Sequence, residues 1–276
     1  MGDGDPTTDD LCTRPGGGLD RLLAIMDRLR DPETGCPWDI EQTYASIVPY
    51  TLEEAHEVAD AIEREAWDEV EGELGDLLLQ VVYYARMGRE DGRFDFHSIA
   101  DRVAQKMVDR HPHIWGGQSR DKSAEQQVAD WEEAKARERQ GRTLDGVALG
   151  LPALTRALKL QKRLARVGFD WGATGDVLNK IQEEAAELVE ARDNMTPDAV
   201  EDEMGDLFFV MANLARHLGV DPEAALRRTN AKVVRRFAAV EDALAAKGRT
   251  PSDSDLAEMD ALWDVARAAD KAGQSR

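Results

Sequence analysis

The chain has 276 residues, is 42% hydrophobic but only 6% aromatic, and carries a formal net charge of −20. That length suits one or two packed domains, and so acidic a body repels nucleic acid and anionic membranes. No apolar run approaches the ~18 residues of a membrane span. Residues 1–17 lack the basic start and apolar middle of a secretory signal and read as a disordered leader. Of the two cysteines, Cys12 sits in that polar leader, which argues against a structural disulfide and for a reducing cytoplasm.

The elements expected along the chain are helices throughout, because no apolar alternation between turn signals marks a strand. Leu19–Arg30 is amphipathic and stops before Pro32. Residues 50–65 place Leu52, Ala55, Val58, Ala59 and Ile62 at helical spacing. A helix starting near Trp67 runs to about Gly92, and Asp95 caps another that ends before Pro112. Residues 112–150 are polar and read as a linker holding one charged helix, Ser123–Arg139. Pro152 then opens a helix to about Gly168, followed by GFDW at 168–171 and a helix over Asp176–Asp193. Thr196 caps the next, with Pro197 in its first position and Gly219 as terminator. Asp221–Pro222 opens a helix to Gly248, and a last one spans about 254–270.

The two halves repeat. Tyr50–Met87 set against Lys180–His217 without a gap gives 14 identities in 38 positions, at a separation of 130 residues. Both copies keep five acids: Glu53, Glu54, Glu57, Glu73 and Asp76 in the first, Glu183, Glu184, Glu187, Glu203 and Asp206 in the second. Residues three apart on a helix lie about 60° from each other, so Glu184/Glu187 and Glu203/Asp206 each share a face. A short turn makes their helices antiparallel neighbours, and the two pairs can oppose each other. Such carboxylates repel unless a hard divalent cation, with its preference for oxygen, sits among them. The alternative is a solvated acidic face. A di-iron bundle would require Glu-x-x-His, whereas the fourth position here is Asp.

The pattern EExxE, then 15 residues, then ExxD resembles the signature of MazG proteins, in the all-α nucleoside triphosphate pyrophosphohydrolase superfamily. The stretches LLAIMDRLRDPETGCPWDIEQT, YTLEEAHEVADAI, GELGDLLLQVVYYA, GRFDF and RHPHIW resemble tandem-domain bacterial members, as do LQKRLARVGFDW and NLARHLG. The resemblance spans about residues 19 to 270. It implies an all-α fold of two MazG-like domains of four-helix-bundle type, at 18–111 and 151–270, that assemble into dimeric bundles, with residues 271–276 a tail. It implies cleavage of nucleoside triphosphates to monophosphate and pyrophosphate, dependent on magnesium, with manganese as the alternative ion. A homodimer that binds nucleoside triphosphates, but neither nucleic acid nor membrane, is expected.

By that analogy Glu184, Glu187, Glu203 and Asp206 hold metal, Glu54, Glu57, Glu73 and Asp76 form the second copy of the site, and Glu183 orients or deprotonates the attacking water. Lys180, one turn earlier, is a phosphate contact or else a helix ion pair worth ~0.2–0.5 kcal/mol. Lys232 and Arg236 share a helix face, as do Lys106 and Arg110. Either pair is a solvated stripe or, as in the family, a triphosphate contact. Trp263 and Arg267 stand where the family encloses its nucleotide, although Trp263 also suits a core. His111 and His113, in a loop around Pro112, suit capping or packing better than metal. Tyr50 replaces Lys180 in the first copy, so the second is expected to be the main active site. The competing expectation is a degenerate helical scaffold with little catalysis.

Overall fold

The computed structural model describes residues 8–13, 15–117, 119, 121–137 and 141–274, and all regular structure among them is helical. The chain divides into two compact units, with the boundary between residues 139 and 140. Of the segment expected to be a leader, residues 1–7 and 14 lie outside the described residues, and Thr8–Thr13 forms a short helix, α1, packed on α2, Gly18–Leu29. The thiols of Cys12 and Cys36 are free. No helix among the described residues is long and apolar enough to cross a membrane.

The first unit is built around an antiparallel pair, α4 (Tyr44–Glu63) and α5 (Trp67–Glu90), joined by three residues. Thr43 and Ser46 form a reciprocal capping box that starts α4 six residues before the expected position. Pro49 is therefore inside the helix, and the burial of Ile47 at 1% exposure holds the turn it interrupts. Helix α2 packs on α5, and Met26, Ile47, Val82, Tyr83 and Met87 form the core between the elements. Full burial of a side chain such as Met26 or Val82 contributes roughly 1.5–3 kcal/mol. A short helix, α3 (Pro37–Glu41), connects α2 to α4. Asp95 caps α6 (Phe96–Arg110) through the Ser98 amide at 2.8 Å. Phe94 packs so closely on Gly88 that an added Cβ would meet its ring at 2.4 Å. His111 ends α6 and its Nδ1 lies 2.6 Å from the Met107 carbonyl oxygen, a capping role. Helices α7 (Pro112–Trp115) and α8 (Ala124–Arg137) complete the unit. Residues 138–140, at the end of the expected charged helix, lie outside the described residues.

The second unit repeats the plan. Its central pair is α10 (Thr174–Asn194) and α11 (Pro197–His217), joined by two residues, with α9 (Ala153–Arg166) on α11 in the place α2 takes on α5. The Thr196 hydroxyl accepts from the Ala199 amide and fixes the start of α11. Gly219, at φ 68, takes the left-handed conformation that turns the chain into α12 (Pro222–Ala245). Helix α12 packs on α9 and on α13 (Leu256–Gln274), and Leu158, Val177, Val210, Val240 and Leu244 are buried. Residues 275–276 of the expected tail lie outside the described residues.

Candidate active site

The connection of only two residues between α10 and α11 sets the middle of α10, with Glu184 and Glu187, against the second turn of α11, with Glu203. One carboxylate oxygen from each of Glu184, Glu187 and Glu203 lies within 4.8 Å of the others. Oxygen donors at that separation suit a hard divalent cation. Glu184 is only 5% exposed. Burial raises the Glu187 carboxyl above its ordinary range, and the neighbouring charges of Glu184, Glu203 and Glu183 add to that, against the opposing pull of Lys180. The same three positions converge in the first unit as Glu54, Glu57 and Glu73. There burial pushes the Glu54 carboxyl up, reinforced by Asp76 and Glu57. Asp76 and Asp206 are not part of these close-set triads. Asp76 lies near enough to Glu54 to act on its charge.

Lys180 leans into the second triad, with Nζ 2.7 Å from Glu183 Oε1 and 2.8 Å from Glu184 Oε1. Glu183 faces solvent more than its neighbour does, its side chain 57% exposed. On α12, Lys232 makes no hydrogen bond or ion pair among the described residues, whereas Arg236 is anchored to Asp270 of α13 at 2.7 Å. The Arg236 guanidinium also lies over the Trp263 ring, 5.7 Å from its centroid, so those two residues form one wall. Arg267 points elsewhere and pairs with Asp264 at 3.0 Å on the exposed side of α13.

Beyond the acids, α11 borders a cavity of about 300 Å³ lined by Gln161, Leu164, Phe169, Asp170, Trp171, Phe209 and Asn213. Gln161 and Asn213 are 3% and 4% exposed. The Gln161 amide donates to the Phe209 carbonyl, which leaves its Oε1 buried without a partner. Asn213 Oδ1 accepts from Arg216 at 2.9 Å, and Arg216 also holds Asp170, which fixes the GFDW segment against α11. Burial works to raise the Asp170 carboxyl, but the Arg216 hydrogen bond and charge, with His217, hold it below its ordinary range. At 1.5 Å per helical residue, Asn213 lies ~10 Å along α11 from Asp206.

Residues 42–115 match the MazG nucleotide pyrophosphohydrolase domain, and residues 151–232 match phosphoribosyl-ATP pyrophosphohydrolase. The chain is 52% identical over 251 residues to the nucleoside triphosphate pyrophosphohydrolase of Escherichia coli K12, covering 89% of this chain and 95% of that one. It is 38% identical over 256 residues to the Thermotoga maritima nucleoside triphosphate pyrophosphohydrolase/pyrophosphatase MazG, covering 92% and 97%. The nucleoside triphosphate pyrophosphohydrolase of Mycolicibacterium smegmatis is 38% identical over 162 residues, covering 56% and 48%. The chain belongs to the MazG family of nucleoside triphosphate pyrophosphohydrolases.

The two MazG units differ beside their matching triads. The offset of 130 residues sets Tyr83 of α5 against Asn213 of α11 and Leu79 against Phe209. Tyr83 is 4% exposed and belongs to the core of its unit. Its hydroxyl donates to Asp39 Oδ1 at 2.8 Å, and the Arg30 guanidinium lies 5.6 Å from the ring centroid. In the first unit a phenol ring thus occupies the position that borders the cavity in the second. Burial pushes the Tyr83 hydroxyl well above its usual titration range, with the Asp39 hydrogen bond adding to it. Gln161 and Asn213 line a cavity that the acidic signature does not point to. Their signal is a carboxamide standing where an amphipathic helix otherwise puts an apolar side chain.

Proposed function

We propose that the second unit is the main active site of a nucleoside triphosphate pyrophosphohydrolase, with Glu184, Glu187 and Glu203 as its metal-holding carboxylates and Asp206 as a further candidate ligand. The convergence of the three oxygens within 4.8 Å is the observation that carries the reading. Magnesium is the ion it assigns, with manganese the alternative, and the bound ion would supply charge neutralisation at the phosphates and acidify the attacking water. Glu183, exposed at the rim and hydrogen-bonded to Lys180, is suited to orient that water or take its proton. Lys180, Lys232 and Arg236 are assigned to the triphosphate. Trp263 backs Arg236, while Arg267 has a more distant, outer role. The Gln161–Asn213 cavity, close to the acids along α11, has the size and the mixed aromatic and carboxamide lining to take a nucleobase.

The reaction on this reading splits the bond between the α- and β-phosphates, giving nucleoside monophosphate and pyrophosphate. The first unit keeps its triad, Glu54, Glu57 and Glu73, with Asp76 as the further candidate ligand, but Tyr50 stands for Lys180 and Tyr83 for Asn213, which supports a binding or structural role. Exposed apolar side chains on α11, including Met204, Phe208 and Met211, favour burial against a second subunit. The two free thiols suit a reducing cytoplasm. The deciding experiment incubates the full chain with a panel of ribo- and deoxyribonucleoside triphosphates and magnesium, then identifies the products. Monophosphate with pyrophosphate is expected, lost in Glu184→Gln. Orthophosphate as the released product would overturn the reading.

A further inference from the structure

We propose that Lys180 is a resident counter-ion of the second triad, which a divalent cation displaces and which then turns to the substrate's phosphates, so that metal and triphosphate binding are coupled through one side chain. The inference rests on the reading of this triad as the metal and phosphate site. Lys180 Nζ sits 2.8 Å from Glu184 Oε1, and that carboxylate belongs to the set of three whose oxygens converge within 4.8 Å. An ammonium at that position and a divalent cation held directly by the same carboxylate compete for the same negative charge, and they repel each other if both are present. Glu184 is 5% exposed, so it has little water to fall back on, and the ammonium pairs with it at 2.8 Å. The lysine itself is not locked in place. Its side chain is 28% exposed and hangs on a flexible four-carbon stem. Anionic phosphate near the triad offers the displaced ammonium a new partner, and Glu183, its other contact at 2.7 Å, is the more solvent-exposed of its two carboxylates.

The first unit is an internal control, because Tyr50 stands where the second unit has Lys180. In the absence of nucleotide the second triad binds metal more weakly than its geometry allows, and nucleotide removes that penalty. By linkage, metal strengthens nucleotide binding by the same factor.

The test measures Mn²⁺ binding to the full chain carrying Glu54→Gln, which silences the first triad, with and without an α,β-methylene nucleoside triphosphate. Lys180→Met is expected to bind Mn²⁺ about tenfold more tightly without nucleotide, within the ordinary range of coupling between sites. The tightening that the analogue produces with Lys180 present should shrink by a similar factor. Lys180→Gln is the second variant, and thermal melting confirms that both are folded. Wild-type or weaker Mn²⁺ affinity in both variants overturns the proposal. Glu184→Gln separates the two levels. If it keeps both Mn²⁺ binding and pyrophosphate release, the assignment of the triad itself fails and the coupling with it. If it loses both while the Lys180 variants bind Mn²⁺ as the parent does, only the coupling fails.

Discussion

Glu184 and Asp270 show how single carboxylates acquire different duties from their surroundings. Glu184 is buried among other acids with one ammonium beside it, a position that is stable only with positive charge nearby. Glu184→Gln should lower turnover on the order of 100-fold, the cost typical of losing stabilisation of transition-state charge. Glu54→Gln should leave most of the activity. Steady-state assays of the two variants make the comparison. Asp270 is instead gripped by Arg235 and by Arg236, which hold its carboxyl at about 2. That lies below the ~3.9 of an unfolded aspartate, so its contribution to stability is complete above that pH and is lost as pH falls toward about 2. Asp270→Asn should flatten the acid limb of the unfolding curve in that window. It also loosens Arg236, so KM should rise with little change in kcat.

Among the elements, the hairpins were plain in the sequence because both have long amphipathic periods and clear terminators: Thr196–Pro197 at one end of α11, Gly219 at the other. Helix α3 was not legible, since five residues carry no period. The early start of α4 was hidden by Pro49, a residue that ordinarily ends a helix but is overridden here by the Thr43–Ser46 box and the burial of Ile47. The approach of three glutamates in each unit was readable from their spacing, whereas the burial of Gln161 and Asn213 was not, because Gln161 stands among lysines and arginines and Asn213 is a lone carboxamide in an apolar run. The turn between α4 and α5 contains a testable strain. Glu65 adopts φ 56, a left-handed conformation that costs a side-chain-bearing residue roughly 1–2 kcal/mol. Glu65→Gly should therefore stabilise the first unit by up to ~1 kcal/mol after the entropy cost of glycine, read by denaturant unfolding. Gly88→Ala should do the reverse by roughly 1–3 kcal/mol, because the methyl has to displace the Phe94 ring.

At the scale of the molecule, a chain of net charge −20 sets three carboxylates close together in each unit, and on the proposed reading a divalent cation stabilises the unit that binds it. Magnesium at 100 times its dissociation constant should add about 2.7 kcal/mol to the unit that binds it. Calorimetric melting with and without the ion should show the gain, and it should vanish in the Glu54→Gln, Glu184→Gln double variant. The duplication itself was visible in the sequence as a fixed offset, but its divergence was not. Tyr83 and Asn213 are only a mismatch in an alignment until Asp39 and Arg30 are seen to pin the ring in its core. That ring also sets a stoichiometry. A flat inhibitor cut to the Gln161–Asn213 hollow meets a phenol at the twin position, so it should saturate at one equivalent per polypeptide and silence the enzyme while the amino-terminal half stays vacant.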